Sequence, residues 1–363
     1  MVRKFLATAI IGFSVFSSSF AQDSTSASSL SISGYVDAYY RYNFQNAKDV
    51  PAINNYTSFT NSHNSFELGM ASVKFDYSKG KIGGVLDLGL GNRAQEFSYT
   101  DVTTSIDANF DEVMSPTLLA AVKQAYLTYS PVEDLTFSMG KWGTHVGYEL
   151  LDPQLNSNYS MSYMFSYGPF SHTGIKVDYA VGDGFGIMAG VTNPTDVVSA
   201  SFAKKNVIAQ VSKTGDDYGI YLNYVGGKDL GNFTINQFGL TASATLSDKV
   251  GIGYDGTVKS VKPPAGISES WWGSALYLNV DPCSKFRVSL RGEYFSDKKG
   301  VAGFGTSLVD ATLSFNYKPF DGLVIIPEFR YDAASDPIFY KNSDINPTAK
   351  STGSFILGAV ISF

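Results

Sequence analysis

Polar and apolar residues alternate through most of this chain with a period of two residues. In residues 30–44, LSISGYVDAYYRYNF, the even-numbered positions are mostly apolar or aromatic, whereas Asp37, Arg41 and Asn43 occupy the opposite face. Successive side chains of a β-strand point to opposite faces, so this period indicates strands. The same pattern predicts 16 strands, which begin near residues 30, 65, 82, 120, 135, 172, 185, 206, 218, 234, 250, 271, 286, 306, 323 and 352. The second segment changes parity near Met70, which predicts a β-bulge.

The connections between these strands alternate between short and long. Seven are short and rich in Gly, Pro, Asp and Ser, such as GDG at residue 182, which is the composition of tight turns. Eight are long and polar, at about residues 45–64, 98–119, 146–171, 194–205, 226–233, 260–270, 297–305 and 333–351. We therefore predict an all-β, transmembrane, up-and-down antiparallel β-barrel of about 16 strands, with both termini on the side of the short turns.

The last ten residues, SFILGAVISF, form an apolar strand that ends on an aromatic residue. An uncovered apolar strand edge promotes aggregation in water. We therefore predict that this strand faces lipid and pairs with the first strand near Leu30, so that the barrel closes and no backbone group is left unpaired in hydrocarbon. A terminal Phe on such a strand resembles the C-terminal signal by which outer-membrane barrels are recognised for assembly, and Phe363 is the candidate residue.

Outward-facing aromatic residues gather near both ends of the predicted strands. Those near the long loops are Tyr40, Tyr42, Phe44, Tyr224, Tyr294, Phe329, Tyr331 and Phe355. Those near the short turns are Phe75, Tyr77, Tyr129, Tyr179, Tyr218, Phe286, Phe315, Tyr317 and Phe363. Eight residues separate the last aromatic of each set along the final strand, which at ~3.3 Å per residue and a tilt of about 40° corresponds to roughly 20 Å. Two aromatic belts at this spacing are typical of a barrel that crosses a membrane.

The N-terminus predicts export. Arg3 and Lys4 precede an apolar run and a series of small residues that ends at Ala21, which is the pattern of a secretory signal peptide over residues 1–21. The mature barrel then spans residues 22–363. Loss of the two cations changes the formal charge from −6 to −8, and an acidic chain argues against nucleic acid as a partner.

The sequence offers little support for catalysis. It contains three histidines and neither a G-x-S-x-G nor an H-E-x-x-H motif, so we predict no enzymatic function, no cofactor and no metal. A barrel hydrolase that uses Ser160 or Ser171 with His172 is the alternative from this class. An adhesin is a second alternative.

Three stretches resemble a known family. They are SGYVDAYYRYNF near the N-terminus, VKQAYLTYSP at residues 122–131, and GKWGTHVGYELLDPQLNSNYSMSYMFSYGPFSHTGIKVDY at residues 140–179. Together they resemble the OmpL-like β-barrel porins of Bacteroidetes outer membranes. The resemblance implies an outer-membrane porin of a Gram-negative bacterium. Its implied partners are outer-membrane lipid and lipopolysaccharide, the barrel-assembly machinery and small hydrophilic solutes, and a homo-oligomer is compatible with it.

A barrel of 16 strands is too wide for its own side chains to fill, so an aqueous channel remains unless something narrows it. We expect passive diffusion of small hydrophilic solutes, with a substrate-selective channel as the nearest alternative. The longest loop, residues 146–171, is the candidate for the constriction. Its acidic residues are expected to face water and to favour cations. The constriction candidates are Tyr148, Glu149, Asp152, Tyr159 and Tyr163.

Inward-facing charged residues are the candidates for the channel wall. They carry both signs, so no ring of a single sign is evident. Two interpretations stay open: opposite charges on neighbouring strands set a transverse field across the lumen, or they pair with each other and stiffen the wall. The candidates are Asp37, Arg41, Lys176, Asp178, Arg287, Arg291, Glu293, Glu328, Arg330 and Asp332.

Overall fold

The computed structural model describes residues 28–47, 53–106, 112–342 and 344–363. The predicted signal peptide lies outside these residues. The described strands are β1 (Ser28–Asn43), β2 (Ser65–Lys79), β3 (Ile82–Leu90), β4 (Val102–Ile106), β5 (Glu112–Pro116), β6 (Val122–Val132), β7 (Leu135–Gly143), β8 (Ser171–Gly182), β9 (Phe185–Thr192), β10 (Asn206–Thr214), β11 (Tyr218–Lys228), β12 (Thr234–Ser247), β13 (Val250–Lys262), β14 (Glu269–Cys283), β15 (Phe286–Ser296), β16 (Ser307–Phe320), β17 (Leu323–Ala334) and β18 (Ser351–Ser362).

Sixteen of these strands form one closed antiparallel barrel. Each barrel strand pairs with its neighbours along the chain, and β1 pairs with β18, so that Tyr42 lies opposite Phe355. The predicted strand number, the closure of the first strand on the last and the position of both termini beside the short turns are confirmed. Every barrel strand begins within two residues of its predicted start. The period of two therefore located the barrel wall accurately.

The connection between β3 and β6 has structure that the alternation did not reveal. It contains the helix α1 (Asn92–Phe97) and the two-stranded sheet β4–β5, which stands apart from the barrel. Strands of five residues are too short for a period-two pattern to stand out against a polar loop. A second helix, α2 (Tyr163–Ser166), lies in the connection between β7 and β8. No described helix is long and apolar enough to span a membrane.

The predicted bulge in β2 is present. Met70 pairs with Asp37 and Leu68 pairs with Ala38, so Gly69 is the extra residue. The bulge shifts the parity of the strand, because Leu68 faces outward and Met70 is fully buried inside the barrel. A Cβ atom at Gly69 would lie 2.0 Å from the Asp37 carboxylate. The bulge therefore needs glycine, and it gives the Asp37 side chain room inside the barrel.

The outer face of the barrel is apolar and aromatic. Phe329 on β17 and Phe355 on β18 are directly paired, with ring centroids 5.2 Å apart. Tyr224 and Phe238 form a similar pair across β11 and β12 at 4.8 Å. Such cross-strand pairs stabilise a sheet whose outer face meets lipid.

The well-buried side chains lie inside the barrel, between the wall and the loops. One cluster joins α2 to β14 and β15, and another lies against β9, β10 and β11. Many charged side chains are buried with them, including residues from β15, β16 and β17. A buried charge is costly unless it is paired, so the partners of these groups define what the interior can do. Members of the two clusters include Tyr163, Met164, Trp271, Phe295, Trp142, Val146, Met188, Ile208 and Val225.

Candidate functional site

Residues 144–170, here called the inner loop, connect β7 to β8 and contact inward-facing side chains of β13, β15 and β17 and, across the barrel, of β6. Two local features shape it. Pro153 begins a short 3₁₀ helix, and Ser162 caps α2 by accepting a hydrogen bond from the Phe165 amide at 3.1 Å. Both are standard helix starts, and they turn the chain twice within the inner loop.

Two wall glutamates bind the backbone of the inner loop. Glu328 on β17 accepts hydrogen bonds from the amides of Tyr159 at 2.7 Å and Ser160 at 3.0 Å. Glu293 on β15 accepts them from the amide of Tyr163 at 2.7 Å and from the next residue at 2.8 Å. Hydrogen bonds to a charged acceptor are about twice as strong as neutral ones. The two carboxylates therefore fix the inner loop at two points on the wall.

Arg291 on β15 joins the inner loop to β16. Its guanidinium donates to Glu149 at 2.6 Å, to Asp310 at 2.6 Å and to the carbonyl of Ser160 at 2.7 Å. Glu149 is only 6% exposed. The expectation that Glu149 faces water is therefore wrong, because Arg291 requires a carboxylate partner in the interior.

Arg330 on β17 makes the next set of contacts. It donates to Asp332 at 2.8 Å and to the carbonyl of Met161 at 2.6 Å, and its guanidinium lies 5.3 Å from the Tyr163 ring centroid. The Tyr163 hydroxyl donates to Asp332 at 2.8 Å. Arg330 thus binds both the backbone and an aromatic ring of the inner loop.

Tyr159 connects the inner loop to β1. Its hydroxyl donates to Asp37 at 2.5 Å, and its ring lies over Gly358 of β18, where a Cβ atom would come within 2.5 Å. Arg93 of α1 lies 3.8 Å from the Asp37 carboxylate and 5.3 Å from the Tyr159 ring centroid. Sequence reasoning missed Arg93, because it lies in a polar loop where nothing indicates that it turns inward.

Asp152 connects the inner loop to β6. Lys123 lies 2.7 Å from Asp152 and 3.1 Å from Asp87 of β3, and the Tyr35 hydroxyl donates to Asp152 at 2.8 Å. Lys123 was not among the predicted site residues. Its register explains why: Asp87 pairs with Gln124 and the following residue of β3 pairs with Val122, so Lys123 lies at an irregularity of the ladder.

Tyr148 contacts β13 and β14, the two strands that follow β15 in the order of the barrel. Its amide donates to Asp255 of β13 at 3.0 Å, and its ring stacks on Tyr277 of β14 with centroids 4.2 Å apart. Gly253 provides the space, because a Cβ atom there would lie 2.4 Å from the Tyr148 ring. Contacts on β13 to β17 hold one side of the inner loop, and the pair of Asp152 with Lys123 on β6 attaches it to the far side of the lumen.

Arg41 has a different role from the other candidates. It donates to the carbonyls of Ile53 at 3.3 Å, Asn54 at 2.9 Å and Ser62 at 2.7 Å. These three residues belong to the connection after β1. Arg41 therefore holds that connection against the wall, and its hydrogen bonds do not reach the inner loop.

The remaining candidates keep partial contact with solvent. Lys176 and Asp178 on β8 pair with each other at 2.9 Å and have side chains that are 22% and 20% exposed. Arg287 on β15 pairs with Asp281 at 2.7 Å and donates weakly to the inner loop at Ser157. These pairs lie in the half of the barrel nearer the short turns. The structure does not bring them together with the buried group around Arg291.

The serine and histidine of the hydrolase alternative have separate partners. The Ser160 hydroxyl accepts hydrogen bonds from Arg291 and Arg330, both at 3.4 Å. Nε2 of His172 is 3.1 Å from the Thr144 hydroxyl. Within the residues that the structure describes, no group of three or more His, Cys, Asp or Glu side chains could hold a metal ion.

Comparison with known proteins places the chain in a family. A family model described as "Putative beta-barrel porin-2, OmpL-like" matches residues 29–363. The chain belongs to this OmpL-like porin family. None of the curated proteins compared with it gives a significant match. The match covers nearly the whole described barrel and confirms the resemblance inferred from the sequence.

Solved structures similar to this OmpL-like porin are also porins and outer-membrane channels. An anion-selective porin from Comamonas acidovorans has a TM-score of 0.60 and 11% identity, over 93% of this chain and 100% of the other. OmpT of Vibrio cholerae, described in a trimer form, has a TM-score of 0.58 and 13% identity, over 93% and 100%. The channel DcaP of Acinetobacter baumannii has a TM-score of 0.57 and 13% identity, over 93% and 97%. At these identities the likeness shows the fold.

The predicted function class and location are confirmed at this level. The OmpL-like porin is an outer-membrane porin channel. Its family and fold point to a channel and not to an enzyme.

Proposed function

We propose that the OmpL-like porin is a passive diffusion channel for small hydrophilic solutes, and that the inner loop sets its width. The observation that carries this proposal is the pair of wall carboxylates, Glu293 and Glu328, that bind consecutive backbone amides of the inner loop. A loop attached to β15 and β17 through its main chain and to β6 through the pair of Asp152 with Lys123 extends across the lumen. The space left beside it determines which solutes pass.

We further propose that the channel has weak charge selectivity. Arg291 and Arg330 of the wall are buried against the inner loop and are paired there with carboxylates. Glu328 is also buried, and its carboxylate is occupied by backbone amides of the inner loop. The inward-facing charged groups that are partly exposed form pairs of opposite sign, for example Lys176 with Asp178. A pair of opposite charges a few ångströms apart produces little net field at a distance. The expected preference for cations is therefore replaced by near-equal permeability to both signs.

Conductance measurements test the width. Shortening the inner loop between residues 150 and 163 is expected to raise the single-channel conductance in planar bilayers, because the segment that spans the lumen is removed. The matched control removes residues 264–267 from the exposed connection between β13 and β14, which should leave conductance unchanged. An unchanged conductance in a shortened variant that still folds contradicts the proposal. Reversal potentials in a salt gradient test the weak selectivity in the same recordings.

The partners implied by the resemblance are part of this proposal. We infer contact with outer-membrane lipid and lipopolysaccharide through the apolar outer face, assembly by the barrel-assembly machinery through the last strand, and self-association into a homo-oligomer. The trimer form described for Vibrio cholerae OmpT supports self-association. Light scattering of the purified porin in detergent tests it, since a mass of one chain after detergent correction contradicts an oligomer.

A further inference from the structure

The two parts of the inner loop are held unequally. Residues 149–164 are attached by several charge-assisted hydrogen bonds, because two arginines and two glutamates of β15 and β17 bind their backbone. Residues 144–148 are attached by the packing of Val146 against β9–β11, by the stacking of Tyr148 on Tyr277, and by three hydrogen bonds to β10, β11 and β13, none of which involves an arginine. The Tyr148 amide donates to Asp255 at 3.0 Å, Nε2 of His145 lies 3.2 Å from the Tyr224 carbonyl, and Gln210 donates to the His145 carbonyl at 3.4 Å.

The wall near residues 144–148 contains polar atoms without partners. They are uncharged and almost completely buried, and they belong to β11, β12 and β14 or to the inner loop itself. A buried polar atom without a hydrogen bond is destabilising. A movement of residues 144–148 that lets water reach these atoms would therefore recover part of that free energy. The comparable uncharged groups at residues 149–164 and on the wall near them are Gln154, Ser289 and Ser354. The atoms concerned near residues 144–148 are Nδ2 of Asn223, Oγ1 of Thr241, the hydroxyl of Tyr277 and Nδ1 of His145.

Glycines affect residues 144–148 in two ways, because Gly147 lies within this segment and Gly239 and Gly253 of the wall lie under its side chains. Gly147 has φ of +98°, a backbone region that other residues rarely adopt. On the wall, a Cβ atom at Gly239 would lie 3.3 Å from Val146 Cγ1, and one at Gly253 would lie 2.4 Å from the Tyr148 ring. Because glycine has no side chain, Val146 and Tyr148 can move away from the wall without first separating from interlocked side chains at these two positions.

We propose that residues 144–148 form a gate that moves away from the β11–β13 wall while residues 149–164 stay attached to β15 and β17, which gives the channel a second, wider conducting state. This inference rests on the proposed function. In the wider state the contacts of Tyr148 with Asp255 and Tyr277 are broken, and water or a passing solute meets the amide and hydroxyl groups of Asn223 and Thr241. The fixed segment keeps the gate within the lumen.

Two engineered disulfides test the gate in a Cys283→Ser background, because Cys283 is exposed and free. The first variant, Val146→Cys with Gly239→Cys, ties the gate to the wall. The matched control, Met164→Cys with Gly273→Cys, ties the fixed segment to the wall, where a Cβ atom at Gly273 would lie 2.5 Å from Met164 Cγ. Mass spectrometry verifies that each disulfide has formed.

The expected result is that the parent shows two conductance levels in planar bilayers. Oxidation of the Val146→Cys/Gly239→Cys variant should abolish the larger level and dithiothreitol should restore it, while the oxidised control keeps both levels. The gate is overturned if the larger level persists with the first disulfide formed, if the control disulfide also abolishes it, or if the parent conducts at a single level. A parent that does not conduct contradicts the channel proposal as well, so the two failures are distinguishable.

A second variant tests the gate without cysteines and decides the matter if the disulfide variants do not fold. Gly253→Ala places a methyl group where the Tyr148 ring now lies, which destabilises the closed position. We expect the fraction of time in the larger conductance level to rise about twofold or more. If this variant folds and spends the same fraction of time in the larger conductance level as the parent, the gate proposal is contradicted.

Discussion

Oε2 of Glu328 on β17 lies 2.7 Å from the backbone nitrogen of Tyr159 in the inner loop. The wall thus binds the main chain of the loop, and most side chains of the loop remain free to serve other contacts. The same carboxylate also accepts the Ser314 hydroxyl at 2.7 Å. Three hydrogen bonds to one carboxylate explain how a loop of mostly uncharged residues can be held in a wide barrel.

Glu328→Gln should weaken this attachment. The amide side chain keeps one acceptor oxygen but turns an N–H group towards a backbone N–H, so a donor loses its partner. Loss of a hydrogen bond to a charged group costs about 1.5–3 kcal/mol, measured as the free energy of unfolding in lipid vesicles. Glu269→Gln, at the half-exposed start of β14, is the matched control and should change stability by less than about 0.5 kcal/mol. Equal stability of the two variants contradicts the role of Glu328.

Arg291→Met should be the most destabilising single change among the wall residues. It leaves Glu149 buried without its cation and leaves Asp310 with only Arg330, at 3.6 Å, and breaking a buried pair in this way costs about 3–5 kcal/mol. The additional change Glu149→Gln should restore part of the loss, because one uncompensated charge is removed. The matched control is Lys176→Met in the half-exposed pair with Asp178, which should cost about 1 kcal/mol or less. Similar losses in the two methionine variants contradict this assignment.

The barrel wall could be predicted from the sequence because it follows a local rule. Alternation along a strand such as β1 places Asp37 and Arg41 on one face whatever surrounds them. The bulge at Gly69 was visible for the same reason, since it reverses the parity within one strand. The length of the connection between β7 and β8 and its aromatic content were equally local signals.

The contacts of the interior could not be predicted because they join residues far apart in the sequence. Glu149 carries no local sign that it pairs with Arg291, 142 positions later. Arg93 lies in a polar loop, and Lys123 lies at a ladder irregularity that only the pairing of β3 with β6 reveals. Inward direction follows from period two, whereas burial depends on whether a loop covers the residue. The charged residues of the wall could therefore be predicted from the sequence, whereas the burial of Glu149 could not.

Deleting Phe363 should reduce assembly and leave conduction unchanged. Its amide and carbonyl form hydrogen bonds with Gly34 of β1 at 3.0 and 3.1 Å, which extend the closure of the barrel, and its ring is 74% exposed on the outer face. We expect less folded protein in the outer membrane, measured by the heat-dependent gel shift of isolated membranes. The molecules that do assemble should show the parental single-channel conductance. Normal membrane levels after the deletion contradict the assembly role.

Asp196 should make the stability of the porin depend on pH through the base of the inner loop. It lies in the connection between β9 and β10, where Oδ1 accepts the amides of Phe170 and Ser171, both at 2.7 Å, and Oδ2 accepts the Tyr99 hydroxyl at 3.2 Å. Burial raises the pKa of Asp196 from 3.8 to about 6, although the two amides act in the opposite direction. The folded state therefore binds its proton more tightly than the unfolded state does.

The sign follows from this difference in proton binding. Between about pH 4 and pH 6 the folded state holds more protons, so the contribution of Asp196 to stability falls as the pH rises through this window. Asp196→Asn keeps the carbonyl oxygen for both amides, and its NH₂ group can donate to the Tyr99 hydroxyl. At pH 7 this variant should equal or exceed the parent in stability, by up to about 3 kcal/mol, and its stability should vary less between pH 4 and pH 6. Asp196→Ala removes the acceptors and should be less stable at every pH. Unfolding titrations at pH 4, 5, 6 and 7 measure all three proteins, and an asparagine variant that is less stable than the parent at pH 7 contradicts the argument.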